Sequence, residues 1–258
     1  MRNLKRTLSL ALASVMLVGM MSVGASAVNA SDFTDADEIV NKDAVSTMTA
    51  LGIINGKEDG SYFDPTGNVT RAEMAKMLCV AINGGVDPVL GVKDTPTFTD
   101  IKGTWAESYI EYCAANGIIA GRGNNKFDPT GTVSATEAAK MLLGVLGYSA
   151  EKSGLVGNDW AINTNVLANQ NGLYKKLANL NANTLLTRDN AAQMIYNALD
   201  ANMVELNAAG NYTTSQYSYT GTESVVTGTE RVWVVKIKDS SVNDAVKALD
   251  GSVYNSRQ

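Results

Sequence analysis

The sequence predicts a mainly α protein of three helix–loop–helix repeats followed by a short β-rich segment. Three observations predict it. The tetrads Thr70-Arg71-Ala72-Glu73, Ser134-Ala135-Thr136-Glu137 and Thr187-Arg188-Asp189-Asn190 each precede apolar residues in one shared register. A turn containing Gly, Phe, Asp and Pro occurs twice at nearly constant offset, so one unit is reused. Beyond Ala208 the composition shifts to Ser, Thr, Tyr and β-branched residues.

Taken in order, Arg2, Lys5 and Arg6 precede an apolar run from Leu8 to Met21. Small residues follow, with Ala25-Ser26-Ala27 and Val28-Asn29-Ala30 as cleavage candidates. This pattern reads as a secretory signal peptide over 1–30. The run is too short and too interrupted by Ser and Gly to span a bilayer well. No later stretch approaches that length, which predicts no membrane span after signal cleavage.

The first repeat is expected over 31–85. A helix over 36–50 would place Val40, Ala44, Met48 and Leu51 on one face and end at Gly52 as a C′ glycine. The turn Tyr62-Phe63-Asp64-Pro65 leads to Thr70, where a second helix starts. Its apolar residues are Met74, Ala75, Leu78, Ala81 and Ile82, one stripe at helical spacing. The second repeat, 96–148, restates the first. Phe98-Thr99-Asp100 matches Phe33-Thr34-Asp35, and Phe127-Asp128-Pro129 matches Phe63-Asp64-Pro65. Trp105-Ala106 opens its first helix. The stripe after Ser134 is Ala138, Ala139, Leu142, Val145 and Leu146. The third repeat, 156–206, is degenerate. Trp160-Ala161 and Asn171-Gly172-Leu173 are kept, the Phe-Asp-Pro turn is missing, and Thr187 opens a helix running to about Met203. Its stripe is Ala191, Ala192, Ile195, Ala198 and Leu199. In the segment 207–258, Val225-Val226 and Val232 to Ile237 are strand-like, and 241–249 reads as a short helix. The segment is either a β-tail or the opening of another domain.

Chemistry is narrowly bounded. The chain has no histidine, which removes His-based triads and most zinc sites. Neither a nucleophile elbow nor a Gly-rich phosphate loop is present, so no catalytic residue, metal or cofactor is expected. The stretch 55–66 superficially resembles a calcium loop, but Lys57 and Thr66 stand where oxygen donors are needed. The formal net charge is −5, and losing Arg2, Lys5 and Arg6 makes it more acidic. An acidic surface argues against nucleic acid. Any anionic ligand would have to be held at discrete sites. Two cysteines, Cys79 and Cys113, read as buried helix positions; free thiols and a single bridge both stay open.

The helix starts carry the candidate site. Thr70 with Glu73, and Ser134 with Glu137, form capping boxes. These do not explain Arg71 or Arg188, cations at the positive end of a helix dipole. One reading is a solvated Arg paired with a nearby carboxylate. The other is an anion trap, in which helix amides and a guanidinium fork act together.

These motifs, in this order, resemble the S-layer homology (SLH) domain. The resemblance rests on Phe33, Asp35, Gly52 to Gly56, Phe63, Pro65 and Thr70 to Glu73 in the first copy. In the second it rests on Phe98, Asp100, Trp105-Ala106, Gly117 to Gly121, Phe127 and Pro129. In the third it rests on Trp160-Ala161 and Thr187-Arg188. It covers about 32–203. It implies three units in a pseudo-threefold bundle, and a secreted protein held non-covalently on the wall or S-layer. The partner it implies is a secondary cell-wall polysaccharide, often bearing pyruvate ketals and held in grooves between units; other S-layer subunits are further candidate partners. The Arg of the helix-start motif is then the main anion contact. Carried onto this chain, the glycan site comprises Arg71 and Arg188 with Glu73, Gly56, Gly121, Arg122, Trp105 and Trp160. Gly56 and Gly121 would admit close backbone approach to the ligand. Arg122 either stands in partly for the cation missing at Ala135 or is a solvated turn Arg. Trp105 and Trp160 are either core anchors or sugar platforms. A rival reading makes the repeats the anchor of a larger exoenzyme whose catalytic part lies past Gln258.

Overall fold

The computed structural model describes residues 29–177, 180, 183–214, 219–227 and 230–237. The expected signal peptide and the expected 241–249 helix lie outside them. The chain divides into two compact units, Met1–Ala198 and Leu199–Gln258.

The first unit holds six helices among the described residues: α1 (Lys42–Ala50), α2 (Arg71–Ile82), α3 (Glu107–Ala115), α4 (Ala135–Val145), α5 (Trp160–Gln170) and α6 (Arg188–Leu199). The expected first helix is split. A 3₁₀ turn over Ala36–Glu38 precedes α1, and Val40 is 83 % exposed instead of facing the core. Ile39 is buried in its place. The split has a polar cause: the Asp189 carboxylate accepts from the Asn41 amide (3.0 Å) and side chain (2.6 Å), fixing the chain where the helix would have run through. The last helix ends at Leu199, short of Met203.

Helices α1, α3 and α5 stop in the same way. At α1 the Gly52 amide donates to Thr49 O and the Ile53 amide to Met48 O, with Gly52 at φ +70°. Gly117 and Gly172 repeat this cap after α3 and α5. A left-handed residue closing two carbonyls is the Schellman motif, which glycine enters without strain.

The second helices form the core. On α2 every residue except Glu73 and Lys76 is buried. Each is entered by a short extended segment, and the three segments pair with one another. Val69 N donates to Leu186 O (2.8 Å), Leu186 N to Val133 O (2.9 Å) and Val133 N to Val69 O (2.9 Å). One amide from each of the three helix entries thus closes a ring, and all three side chains are fully buried.

In the second unit, β1 (Val204–Leu206) pairs antiparallel with β2 (Tyr212–Thr214), and β3 (Tyr219–Thr227) with β4 (Glu230–Ile237). The β3–β4 pair falls on the β-branched runs that predicted strands. The β1–β2 hairpin has no such run; Asn207, accepting from the amides of Ala209 and Asn211 (both 3.0 Å), shapes its turn instead.

Candidate functional site

The capping boxes form as read. Glu73 Oε2 accepts from the Thr70 amide (2.7 Å) and hydroxyl, while Thr70 Oγ1 accepts from the Glu73 amide (3.2 Å). Ser134 and Glu137 repeat the arrangement. The remaining helix-start amides do not stand open to an anion. Arg71 N donates to Gly131 O (2.8 Å) and Ala72 N to Pro129 O (3.0 Å). Likewise Arg188 N donates to Gly67 O and Asp189 N to Pro65 O, while Ala135 N donates to Thr184 O. Each of α2, α4 and α6 is thus capped by a turn distant in sequence: α2 by 129–131, α4 by Thr184 and α6 by 65–67.

The arginines follow their amides into those turns. Arg71 is 3 % exposed. Its Nε donates to Phe127 O (2.8 Å) and Nη2 to Ala120 O (2.7 Å), and the guanidinium lies 4.3 Å from the Phe127 ring centre. Arg188 does the same in the first repeat, with Phe63 O (2.7 Å), Asn55 O (2.8 Å) and the Phe63 ring (5.1 Å). Carbonyls and a ring face compensate for the lost water, which is what a buried cation requires. Burial still pushes Arg71 down to about 10 against the pull of Glu137, so it stays charged at neutral pH, and burial lowers Arg188 as well. Neither is a solvated Arg: Arg71 pins the first repeat to the second, and Arg188 pins the start of α6 to the Phe63 turn.

The turns they enter are held by two carboxylates that the sequence offered as motif letters only. Asp100 accepts from the amides of Phe127 (2.9 Å) and Asp128 (2.8 Å); Asp35 accepts from those of Phe63 (2.9 Å) and Asp64 (2.7 Å). Burial alone would raise Asp100, but these amides outweigh it and hold the acid below its usual range. Asp64 and Asp128 sit at φ +61° and +62°, a conformation that Asp tolerates better than most residues. The recurrence of Phe-Thr-Asp was the signal that could have identified both clips.

Outside the buried pair lies an exposed cation in each turn. Arg122, 35 % exposed at its side chain, reaches Glu137 with Nη2 (2.8 Å) and Asp128 with Nη1 (2.6 Å). Arg71 Nη1 meets the same Glu137 at 3.3 Å. Two guanidiniums, one buried and one exposed, therefore flank one carboxylate at the junction of the first two repeats. Burial acts to raise Glu137, and the Ser134 amide with the two arginines reverses it, so the acid stays ionised. Arg122 thus accompanies Arg71; it does not stand in for the cation missing at Ala135. At the Arg188 junction Lys57 occupies the matching place, paired with Asp64, a residue absent from the expected site. No carboxylate among the described residues lies within ion-pair distance of Arg188.

The third junction is built differently. Ala135 brings no cation. Tyr174 donates to Asn165 Oδ1 (2.6 Å), which also accepts from Thr136 (3.2 Å), and burial pushes the Tyr174 phenol up to about 12.

Gly56 and Gly121 serve their own loops. A Cβ on Gly56 would lie 2.2 Å from Gly60 O, and one on Gly121 would lie 2.7 Å from Lys126 O. Trp105 is not a core anchor: it is 60 % exposed, its ring 6.3 Å from that of Tyr109. Trp160 is half-buried beneath Lys140, whose Nζ lies 5.2 Å from the ring centre. Among the described residues no cluster of acids and thiols has metal-binding geometry.

A repeated α-helical unit, clamped to its neighbours by an arginine at the start of its second helix, is the class of protein these features define. Residues 32–75 and 97–139 each match the S-layer homology domain. The chain is 30 % identical over 113 residues to an S-layer protein of Bacillus licheniformis, covering 44 % of this chain and 12 % of that protein. It is 28 % identical over 207 residues to a cell surface protein of Thermoanaerobacter kivui, covering 80 % and 26 %. It is 28 % identical over 156 residues to exoglucanase XynX of Acetivibrio thermocellus, covering 57 % and 14 %. The chain thus spans about a quarter or less of the length of these relatives.

Proposed function

We propose that this chain anchors itself, or a larger protein, non-covalently to the cell wall by binding an acidic, pyruvate-ketal-bearing secondary polysaccharide. It is a secreted protein of the cell surface, as its S-layer homology repeats and S-layer relatives imply. The signal peptide is 1–30, and the repeats are 31–85, 96–148 and a degenerate third, 156–206. The ring closed by Val69, Val133 and Leu186 supports a pseudo-threefold arrangement of the three. The segment 207–258 is a linker and the start of a β-rich segment.

The observation that carries the reading is the pairing of exposed Arg122 with buried Arg71 around Glu137. Asp128, Arg122's other partner, is 45 % exposed, and such a surface pair is worth only about 0–1 kcal/mol. A ketal carboxylate can take its place on Nη1 at low cost, with Nε and Nη2 still on Glu137 and Arg71 adding positive charge from behind. Lys57 before Arg188 makes a second, weaker site, because an ammonium offers a point charge without the fork. Glu73 keeps that site's helix start in place. Trp105 presents an open ring face on which a sugar can stack. Other subunits on the same wall are further partners.

The test is co-sedimentation of the full chain with purified wall polysaccharide, before and after mild acid removes its ketals. Binding should fall at least about tenfold on ketal removal, the order of one charged hydrogen-bond pair, and again in Arg122→Ala. Undiminished binding by Arg122→Ala of unchanged thermal stability would sink the site. A second reading, the anchor of an exoenzyme, is favoured by the match to exoglucanase XynX.

A further inference from the structure

Cys79 on α2 and Cys113 on α3 belong to different repeats, yet their sulfurs lie 3.4 Å apart in the dry core between the two helices. Both side chains are fully buried. Each thiol also reaches across to a backbone carbonyl of the opposite helix, Cys79 to Tyr109 O (3.6 Å) and Cys113 to Ala75 O (3.7 Å). Nothing intervenes between the sulfurs, and the chain has no third cysteine to compete.

We propose that Cys79 and Cys113 are oxidised to a disulfide that staples the first repeat to the second once the chain leaves the cell. Three observations carry this. The sulfurs are already in contact, so a bond length of about 2.05 Å needs an approach of roughly 1.4 Å, within the reach of small side-chain rotations. The two residues are 34 apart in sequence, so the link closes a long loop of the unfolded chain. The protein works at the cell surface, outside the compartment where thiols are kept reduced.

The oxidant is a disulfide, either a small molecule or an exported oxidoreductase. One cysteine thiolate attacks it, forms a mixed disulfide and expels the first thiolate. The second cysteine then attacks the protein-bound sulfur and expels the other. Two protons pass from the cysteines to the two leaving thiolates, and two electrons go with the oxidant's sulfurs. The contact with Cys79, together with burial, pushes the Cys113 thiol up. The closed pair is therefore slow to exchange, and the bond forms while α2 and α3 are still docking. Once made, it fixes the end of α2 away from Arg71, eight residues and about 12 Å along the helix, and so holds the first junction in register.

The test refolds the full chain from denaturant in oxidised glutathione, then alkylates it under denaturing conditions. The expected product is a monomer about 2 Da lighter than the reduced chain, with no alkylated thiol and one proteolytic fragment joining the two cysteine peptides. Reductant should lower its melting temperature by several degrees, and should leave Cys79→Ala/Cys113→Ala unshifted. Two alkylated thiols per chain, glutathione adducts, or a bridge between two chains would each overturn the proposal. Wall binding plays no part in the readout, so loss of the glycan site would leave this result standing.

Discussion

At the scale of single residues, the two cations of the first junction do different work. Arg71 is a buried guanidinium whose donors end on two carbonyls of the adjoining repeat. Arg71→Ala strands Phe127 O and Ala120 O and opens a cavity over the Phe127 ring. Breaking one side of such a buried arrangement costs about 3–5 kcal/mol. Thermal or chemical denaturation of that variant should show a loss of this size. Arg71→Lys should recover little of it, because an ammonium cannot address two carbonyls and a ring face together. Arg122→Ala removes only partly exposed pairs and should cost about 1 kcal/mol or less. Stability therefore tracks Arg71, while binding at constant stability tracks Arg122. Asp100 belongs with Arg71: Asp100→Asn gives up one of two charged hydrogen bonds to the Phe127–Asp128 turn. It should lose about 1–2 kcal/mol by the same measurement.

At the scale of elements, the ring of three amides makes a cooperative joint. Val69, Val133 and Leu186 each donate to the next, so no one bond can open without disturbing the entry of two helices. Val133→Pro deletes one donor and should cost about 3 kcal/mol or more. Hydrogen exchange should then speed up at Val69 and Leu186 as well as locally; unchanged protection at those two amides would show that the ring is not a unit. Much of this element level was legible beforehand. The stripe residues Met74, Leu78, Ala138, Leu142, Ala191 and Ile195 are buried, and the three C′ glycines close their helices, because periodicity and capping are local rules. What failed was non-local. Val40 lost its place because Asp189, almost 150 residues away, holds Asn41. The arginines were legible as residues needing a partner, but not as clamps, because the carbonyls they bind are in another repeat. The exposure of Trp105 and the β1–β2 hairpin left no sequence signal of comparable strength.

At the scale of the molecule, acidity and burial together set a pH limit. Burial acts to raise Asp100, Glu111 and Glu137. At Asp100 the Phe127 and Asp128 amides outweigh it, at Glu111 Lys93 and Thr97, and at Glu137 the Ser134 amide and two arginines. A carboxylate with a lowered folded pKa contributes stability that is complete above its unfolded value, near 4, and is lost as pH falls through the folded one. Asp189 acts in the other direction. Burial raises it despite the bonds from Asn41, so its contribution is present at low pH and lost as pH rises through its folded value. Asp59 and Asp87 are lowered too, by their hydrogen bonds to Ser61 and Tyr109, and these lowered acids against one raised give net acid lability. The melting temperature should hold from about pH 7 to 5 and fall steeply below about pH 4. Glu137→Gln should flatten that fall, because it removes an acid whose ionised form two repeats share through Arg71 and Arg122. The same variant frees both guanidiniums from their common carboxylate. It should therefore tighten binding to an acidic polysaccharide even while it lowers stability at neutral pH, and adding salt should erase that gain. A protein in which Glu137→Gln weakens both properties together would be using this carboxylate as a ligand contact, and the two arginines only as its support.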